Sequence, residues 1–326
     1  YNPVSVSGYH IREAGSTAAQ ELAFTLNNGF AYIEECLARG LKIDSFAHRL
    51  SFFFNAHMDF FEEIAKYRAA RRIWANRLRK QYGAKNENSL KLKFHTQTAG
   101  CSLTAQQPEN NIVRTAFEAM SAVLGGTNSL HTNSLDETLA LPSEKAAKIA
   151  LRTQQILAFE TGVPNVADPL GGSWYVEKLT DKLELQAMKY FDEIQEMGGT
   201  TQAIEDGYFQ KKIAESASIY QESVDSKERI IVGVNDFIEK DEKLDIEILK
   251  ISRDAQDTQE KKIQSLRRSR NEKTLQKKMK KLSEACKNDL NLVPFLIEVA
   301  EEGGTVGEIV EVMKKVYGEW EESFGI

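Results

Sequence analysis

Short apolar runs that alternate with longer helical patterns constrain this chain most, because that alternation is the signature of a parallel sheet covered by helices. Three of the runs end in a histidine: Tyr9-His10, His95 with Gln97, and His131 with Asn133. Residues at the carboxyl ends of successive strands in a barrel converge on one face, where such folds place their chemistry. Three of the five histidines are expected there.

After a first strand over Pro3 to Gly8, Thr17 and Gln20 have the spacing of a capping box, and Leu22, Leu26, Phe30 and Ile33 recur at helical spacing until Gly40. Arg49 to Phe54 reads as a buried strand, and Phe60 to Tyr82 as a helix stopped by Gly83. Lys91 to Thr98 is the third strand. A helix over Asn110 to Leu124 follows, with Val113, Phe117, Met120 and Leu124 on one apolar stripe. Asn128 to Asn133 is the fourth strand, Pro142-Ser143 opens a helix to about Glu160, and Val163 to Ala167 is a candidate fifth strand.

These are roughly four or five strand-helix units, about half of what closes a (β/α)8 barrel. The expected fold class is α/β, a partial (β/α)8 TIM-type barrel over residues 1–175 followed by a mainly helical extension or linker over 176–326. An open doubly wound sheet is the rival topology. It would normally carry a glycine-rich phosphate loop after its first strand, and Ser7-Gly8-Tyr9-His10-Ile11-Arg12 is no such loop.

Beyond Tyr175 the sequence is charged and mostly helical, with one strand-like run over Arg229 to Val234. Lys261 to Lys281 carries ten basic residues against one acid, but Ile263, Leu266, Leu275, Met279 and Leu282 give it an apolar stripe. A solvated helix face explains that better than nucleic-acid contact. The formal net charge of −6 likewise leaves no electrostatic footprint for nucleic acid or anionic membrane. No stretch approaches a membrane span, and Cys36, Cys101 and Cys286 lack the pairing of a disulfide framework or a zinc site. A reducing, cytoplasmic location is expected. The chain begins at Tyr1 in a strand-like run, so a segment upstream is also expected.

A strand-end histidine such as His10 can donate a proton or a hydrogen bond to a developing oxyanion, or simply satisfy a tight turn. His95 and Gln97 alternate on one strand and so face one side, with Lys91 and Lys93 further down it. Charges pointing into a barrel call for a ligand or a partner. His131 and Asn133 repeat the alternation, with Asp136 and Glu137 just after. Arg49 and Ser51 alternate at the start of the Phe-rich run, where a guanidinium and a hydroxyl can hold phosphate or pair at the surface.

Taken in order, Gly8-Tyr9-His10-x-x-Glu13-Ala-Gly15, Arg49-Leu50-Ser51, His95-x-Gln97-Thr-x-Gly100, Gly-Gly-Thr-x-Ser-Leu-His131-Thr-Asn133-Ser-x-Asp136-Glu137 and Asp168-Pro-x-Gly-Gly-Ser173 resemble the large subunit of methylmalonyl-CoA mutases. Ile231 to Asn235 and Thr305 to Ile309 extend the resemblance over almost the whole chain. It implies a barrel threaded by acyl-CoA, of which this chain is the second half plus linker. It also implies adenosylcobalamin as cofactor and a radical 1,2-migration of the thioester carbonyl group.

By the same resemblance His10 hydrogen-bonds the thioester carbonyl and Tyr9 packs at the reacting centre. Arg49, Leu50, Ser51, Lys93 and Asn128 hold CoA. His95 and Gln97 face the corrin, while Asn133 and Glu137 contact the adenosyl ribose or corrin amides. The implied partners are an acyl-CoA substrate, a separate cobalamin-binding subunit or domain, the missing N-terminal barrel half and a G-protein metallochaperone. Departures from the family pattern are Lys93 where arginine is more common, Cys101 where tryptophan is usual and Asn128 where glutamine is common. The Asp-x-His-x-x-Gly motif that binds cobalamin is absent.

Gly-Gly-Thr before Ser-Leu-His131, together with Asp168-Pro-x-Gly-Gly-Ser173, favours methylmalonyl-CoA over isobutyryl-CoA, with 2-hydroxyisobutyryl-CoA open. Two further classes compete. One is a metal-dependent barrel hydrolase, with zinc on His10, His95 and His131 and Glu137 as base. The other is a noncatalytic scaffold for a partner subunit.

Overall fold

The computed structural model describes residues 4–239, 246, 248–250 and 252–321. They divide into two compact units, with the change at Leu249 and Lys250. In the first unit, β1 (Ser5–Ser7), β2 (Ser51–Ala56), β3 (Phe94–Thr98) and β4 (Ser129–His131) form one parallel sheet in the order β1-β2-β3-β4. Parallel neighbours need crossovers, and helices supply them. After β1 come α1 (Tyr9–Glu13), α2 (Ala18–Ala38) and α3 (Ile43–Phe46). After β2 come α4 (Phe60–Lys80) and α5 (Glu87–Leu90), and after β3 comes α6 (Asn110–Leu124). After β4 the chain continues as α7 (Glu144–Phe159), α8 (Trp174–Glu196), α9 (Thr200–Glu205) and α10 (Tyr208–Asp225).

This is the parallel strand-and-helix architecture of a partial barrel. Its core lies between the sheet and the helices, where Phe52 meets Trp74 and Phe54 and Phe94 meet Tyr67 of α4, with Phe24 and Phe30 of α2 in the same buried cluster. Burying each such ring contributes about 1.5–3 kcal/mol. The capping box at Thr17 and Gln20 starts α2 as the sequence predicts. The boundary expected at 175/176 lies inside this unit, because α8 packs along α4 and α2 through Leu183, Ala187 and Phe191. Arg68 of α4 binds Asp168 at 2.9 Å and Glu177 at 2.7 Å, which fastens the Asp168 to Ser173 loop to that helix.

Several boundaries differ from the sequence reading. Arg49 ends a 3-10 turn (Ala47–Arg49), so Arg49 and Ser51 do not alternate on one strand. Lys91 and Lys93 precede β3 and are exposed, so no lysine charge enters the sheet. Val163–Asn165 is a 3-10 turn rather than a fifth strand. Arg229 to Val234 is a turn held by Asn235, whose side chain donates to the Val224 and Arg229 carbonyls and accepts from the Ile231 amide.

The most instructive difference is in α6. Val113 and Phe117 of the expected core stripe are more than half exposed, while Asn111, Thr115, Glu118 and Ser121 are buried. That inner side meets loop backbone, whose polar groups need partners. Asn111 serves the Thr104 amide and carbonyl and the Leu135 carbonyl, and Glu118 accepts from Ser102 at 2.6 Å.

The second unit holds α11 (Arg253–Ser269), α12 (Glu272–Lys287), α13 (Val293–Glu301) and α14 (Val306–Tyr317). Its small core is Leu275, Met279, Leu282, Cys286 and Val299. The basic run thus falls on two helices, and α11 buries no residue at all. No helix among the described residues is long and apolar enough to cross a membrane.

Candidate functional site

Alternation along the strands leaves Ser5 and Ser7, Ser51, Phe53 and Asn55, His95 and Gln97, and Ser129 and His131 on the side away from the core. The register then arranges them in tiers. Ser5 pairs with Ser51; Ser7 with Phe53, His95 and Ser129 form the next tier; Asn55, Gln97 and His131 form the tier at the carboxyl ends. An ordinary barrel interior is filled by bulky branched side chains. Here Phe53 is the one large apolar side chain among small or polar ones.

Tyr9 enters above these tiers because β1 turns at once into α1. That turn requires Gly8, since a Cβ there would lie 2.0 Å from Thr25 Oγ1. The Tyr9 ring stacks on Phe53 at 5.0 Å, and Phe53 meets His95 edge to face at 4.9 Å. Gln97 Nε2 donates to Tyr9 Oη at 2.8 Å and to Asn133 Oδ1 at 2.9 Å. Asn133 is fixed in turn by Thr98, through Oγ1 at 2.9 Å and the carbonyl at 3.0 Å. Burial first, and then the nearby Glu13 carboxylate, raises the Tyr9 phenol, which therefore keeps its proton.

Glu13 closes the arrangement. Its Oε1 accepts from the Gly100 amide at 2.8 Å and Asn55 Nδ2 at 2.7 Å, and Oε2 from the Cys101 amide at 2.9 Å. Gly100 packs so closely that a Cβ would sit 3.1 Å from Glu13 Oε2 and 3.6 Å from Tyr9 Oη. His10 stands beside Tyr9, exposed, with Nδ1 3.3 Å from Ser7 Oγ, and its partial burial lowers its pKa. Glu137 is exposed at the same end, and burial of part of its surface, then Glu13 and Asp136, raise its carboxyl.

The structure therefore brings Tyr9, Gln97 and Asn133 into one hydrogen-bonded row, with His10 and Glu137 at its ends. Arg49, Leu50, Ser51, Lys93 and Asn128 gather instead at the amino-terminal ends of β2, β3 and β4. Four strand steps, about 13 Å, separate the two groups along β2 and β3. At that lower end Lys93 Nζ donates to the His48 carbonyl at 3.2 Å, Ser51 Oγ to the Val4 carbonyl at 3.2 Å, and Asn128 Oδ1 accepts from the Phe94 amide at 2.9 Å. Leu50 is buried and Arg49 exposed.

The three histidines do not meet. His95 pairs with Ser129 Oγ at 2.7 Å one tier below His131, and no group of three metal-ligating side chains forms among the described residues. Glu13, Asn55 and Phe53 are the residues that spacing alone did not single out. Glu13 lay inside a quoted motif, but its partners are 42 and 87 positions away.

The family model for methylmalonyl-CoA mutase matches residues 1–319. The chain belongs to the methylmalonyl-CoA mutase family. Among its relatives it is 45% identical over 324 residues to the 2-hydroxyisobutanoyl-CoA mutase large subunit of Aquincola tertiaricarbonis, covering 99% of this chain and 58% of that protein. It is 47% identical over 322 residues to the methylmalonyl-CoA mutase of Rhizobium meliloti, covering 98% and 45%. With the human mitochondrial methylmalonyl-CoA mutase the identity is 46% over 322 residues, covering 98% and 43%. The chain thus spans about half the length of the family members it matches.

Proposed function

We propose that this chain is part of an adenosylcobalamin-dependent mutase that interconverts methylmalonyl-CoA and succinyl-CoA. The observation that carries this reading is the set of small and polar side chains on the inner tiers. They give one face of the sheet a lining of small and polar groups, with cationic and amide groups at its amino-terminal end and the Tyr9-Gln97-Asn133 row at the other. An elongated CoA ester laid along that face suits it: Arg49 and Lys93 attract its phosphates, Ser51 and Asn128 flank them, and the acyl thioester reaches Tyr9 and His10.

His10 is neutral near pH 7, because burial lowers its pKa. With the Ser7 hydroxyl donating to Nδ1, the Nε2–H hydrogen-bonds to the thioester carbonyl oxygen, which gains charge as the group migrates. Tyr9, held protonated and stacked on Phe53, packs against the reacting carbon and keeps water out. At the rim, Gln97, Asn133 and His131 offer neutral donors and acceptors, and Glu137 a carboxyl group, that suit a cofactor bordered by carboxamides. Bound there, adenosylcobalamin would supply the carbon radical that starts the rearrangement.

The remaining barrel half, a cobalamin-binding subunit and a metallochaperone are the partners of this reading, and a cytoplasmic location its setting. One relative, covered to 58% of its length, is a 2-hydroxyisobutanoyl-CoA mutase large subunit, which makes 2-hydroxyisobutyryl-CoA the second acyl group to test. The test is reconstitution with the rest of the large subunit, the cobalamin-binding partner and adenosylcobalamin, offering both esters. Carbon-skeleton isomerisation of methylmalonyl-CoA is expected. Turnover of 2-hydroxyisobutyryl-CoA alone would replace the substrate, and turnover of neither would overturn the reading.

A further inference from the structure

Beneath the rim lies a set of buried charges that none of these steps uses. Lys66, Glu21 and Glu63 have fully buried side chains. Lys66 Nζ donates to Glu21 Oε2 at 2.6 Å, to the Asn55 carbonyl at 2.8 Å and to Glu63. Arg12 approaches Glu63 Oε1 at 3.8 Å. The other oxygen of Glu21 accepts from the Asn55 amide at 2.7 Å. Both backbone groups of Asn55, at the carboxyl end of β2, are thus held by the ions, and Tyr67 adds a second donor to its carbonyl at 2.6 Å. The Asn55 side chain then reaches Glu13, which holds the Gly100 and Cys101 amides.

Ions in a protein interior lose several kcal/mol each in desolvation, and well-packed apolar replacements of such sets are often as stable or more so. Holding a helix against a sheet does not need them. What they do here is converge on one residue whose side chain points into the site. We propose that Lys66 and Glu21 are positioning residues for the reaction: by fixing Asn55 they fix Glu13, and through Glu13 the Gly100 turn and the Tyr9-Gln97 contact. This rests on the mutase reading above.

The test uses the complete enzyme with its cobalamin-binding partner. The double variant Glu21→Gln/Lys66→Met removes one buried cation together with one buried anion and leaves Arg12 facing Glu63. Its KM for the acyl-CoA should stay within about twofold while kcat falls about tenfold or more, the pattern of a lost transition-state interaction. Amide hydrogen exchange at Gly100 and Cys101 should quicken by about tenfold, a readout that needs no turnover. A kcat within about twofold of the parent, with unchanged exchange, overturns the proposal. So does a parallel loss of acyl-CoA binding and thermal stability, which would make the ions a general support of the fold.

If the double variant does not fold, Asn55→Ala carries the test, since it leaves the ions paired. The same kcat loss and faster exchange are expected, and unchanged values overturn the proposal. A parent enzyme that isomerises neither ester overturns the mutase reading alone, because the exchange measurement still tests the network.

Discussion

The two ends of the sheet are built differently. At the carboxyl ends three polar side chains are held on several sides: Gln97 by Tyr9 and Asn133, Asn133 by Thr98, and Glu13 by two backbone amides and Asn55. At the amino ends, Ser51 and Asn128 each bond to backbone, Lys93 donates to one carbonyl, and both Lys93 and Arg49 are exposed. Preorganised groups stabilise charge as it develops, whereas exposed cations on long side chains attract an anion without fixing it. On the proposed function, the contrast separates a place where bonds change from a place where a long ligand is tethered.

Four substitutions test the contrast, in decreasing order of effect. His10→Ala in the reconstituted enzyme should lower kcat by about a hundredfold or more, with acyl-CoA affinity much less affected. Equal losses in both would remove His10 from the chemistry. Glu13→Gln turns one of the two acceptor oxygens into a donor, leaving either the Cys101 amide or the Gly100 amide and Asn55 without an acceptor, so about 2 kcal/mol of stability should disappear, as read by denaturant midpoints. An unchanged midpoint would show that the rim does not depend on that carboxylate. Arg49→Ala should raise KM by about tenfold, roughly 1.4 kcal/mol, and leave kcat near the parent value. A fall in kcat instead would erase the division between the two ends.

The smallest effect is in pH dependence. Burial, and then Arg12, Lys66 and Arg229, lower His57 to about 3, while Glu63 opposes them. Unfolded histidine binds a proton below about 6.5, so in the window from about 6.5 down to about 3 the unfolded state binds more protons. Stability should therefore rise with pH across that window. His57→Gln should flatten the rise, and an equally steep profile would show that other groups cause it. In the neighbouring network, Lys66 and Arg12 hold the Glu63 carboxyl below its usual range, whereas burial outweighs the same two cations at Glu21 and pushes it up to about 7.

The long helices were legible because their cores are apolar at helical spacing, as in α2 with Leu22, Leu26, Phe30 and Ile33. Strand starts were not. Alternation cannot tell Lys93, outside β3, from His95 inside it, because both stand at the same parity of one apolar run. The stripe on α6 misled for a different reason: its inner side serves loop carbonyls and amides, so polar residues are buried and Phe117 faces out. In the site, alternate spacing correctly placed His95 and Gln97 on one face. It could not reveal Glu13 with Gly100 or Lys66 with Asn55, since these contacts exist only once distant segments are folded together.

Among the described residues, β1 pairs only with β2 and β4 only with β3, so each outer strand has one edge without a neighbouring strand. For anyone producing this polypeptide, that turns yield into a race. An exposed strand accepts whichever chain arrives first, and in a concentrated lysate the most abundant arrival is another copy. Production and refolding at low concentration should then matter more than any point substitution.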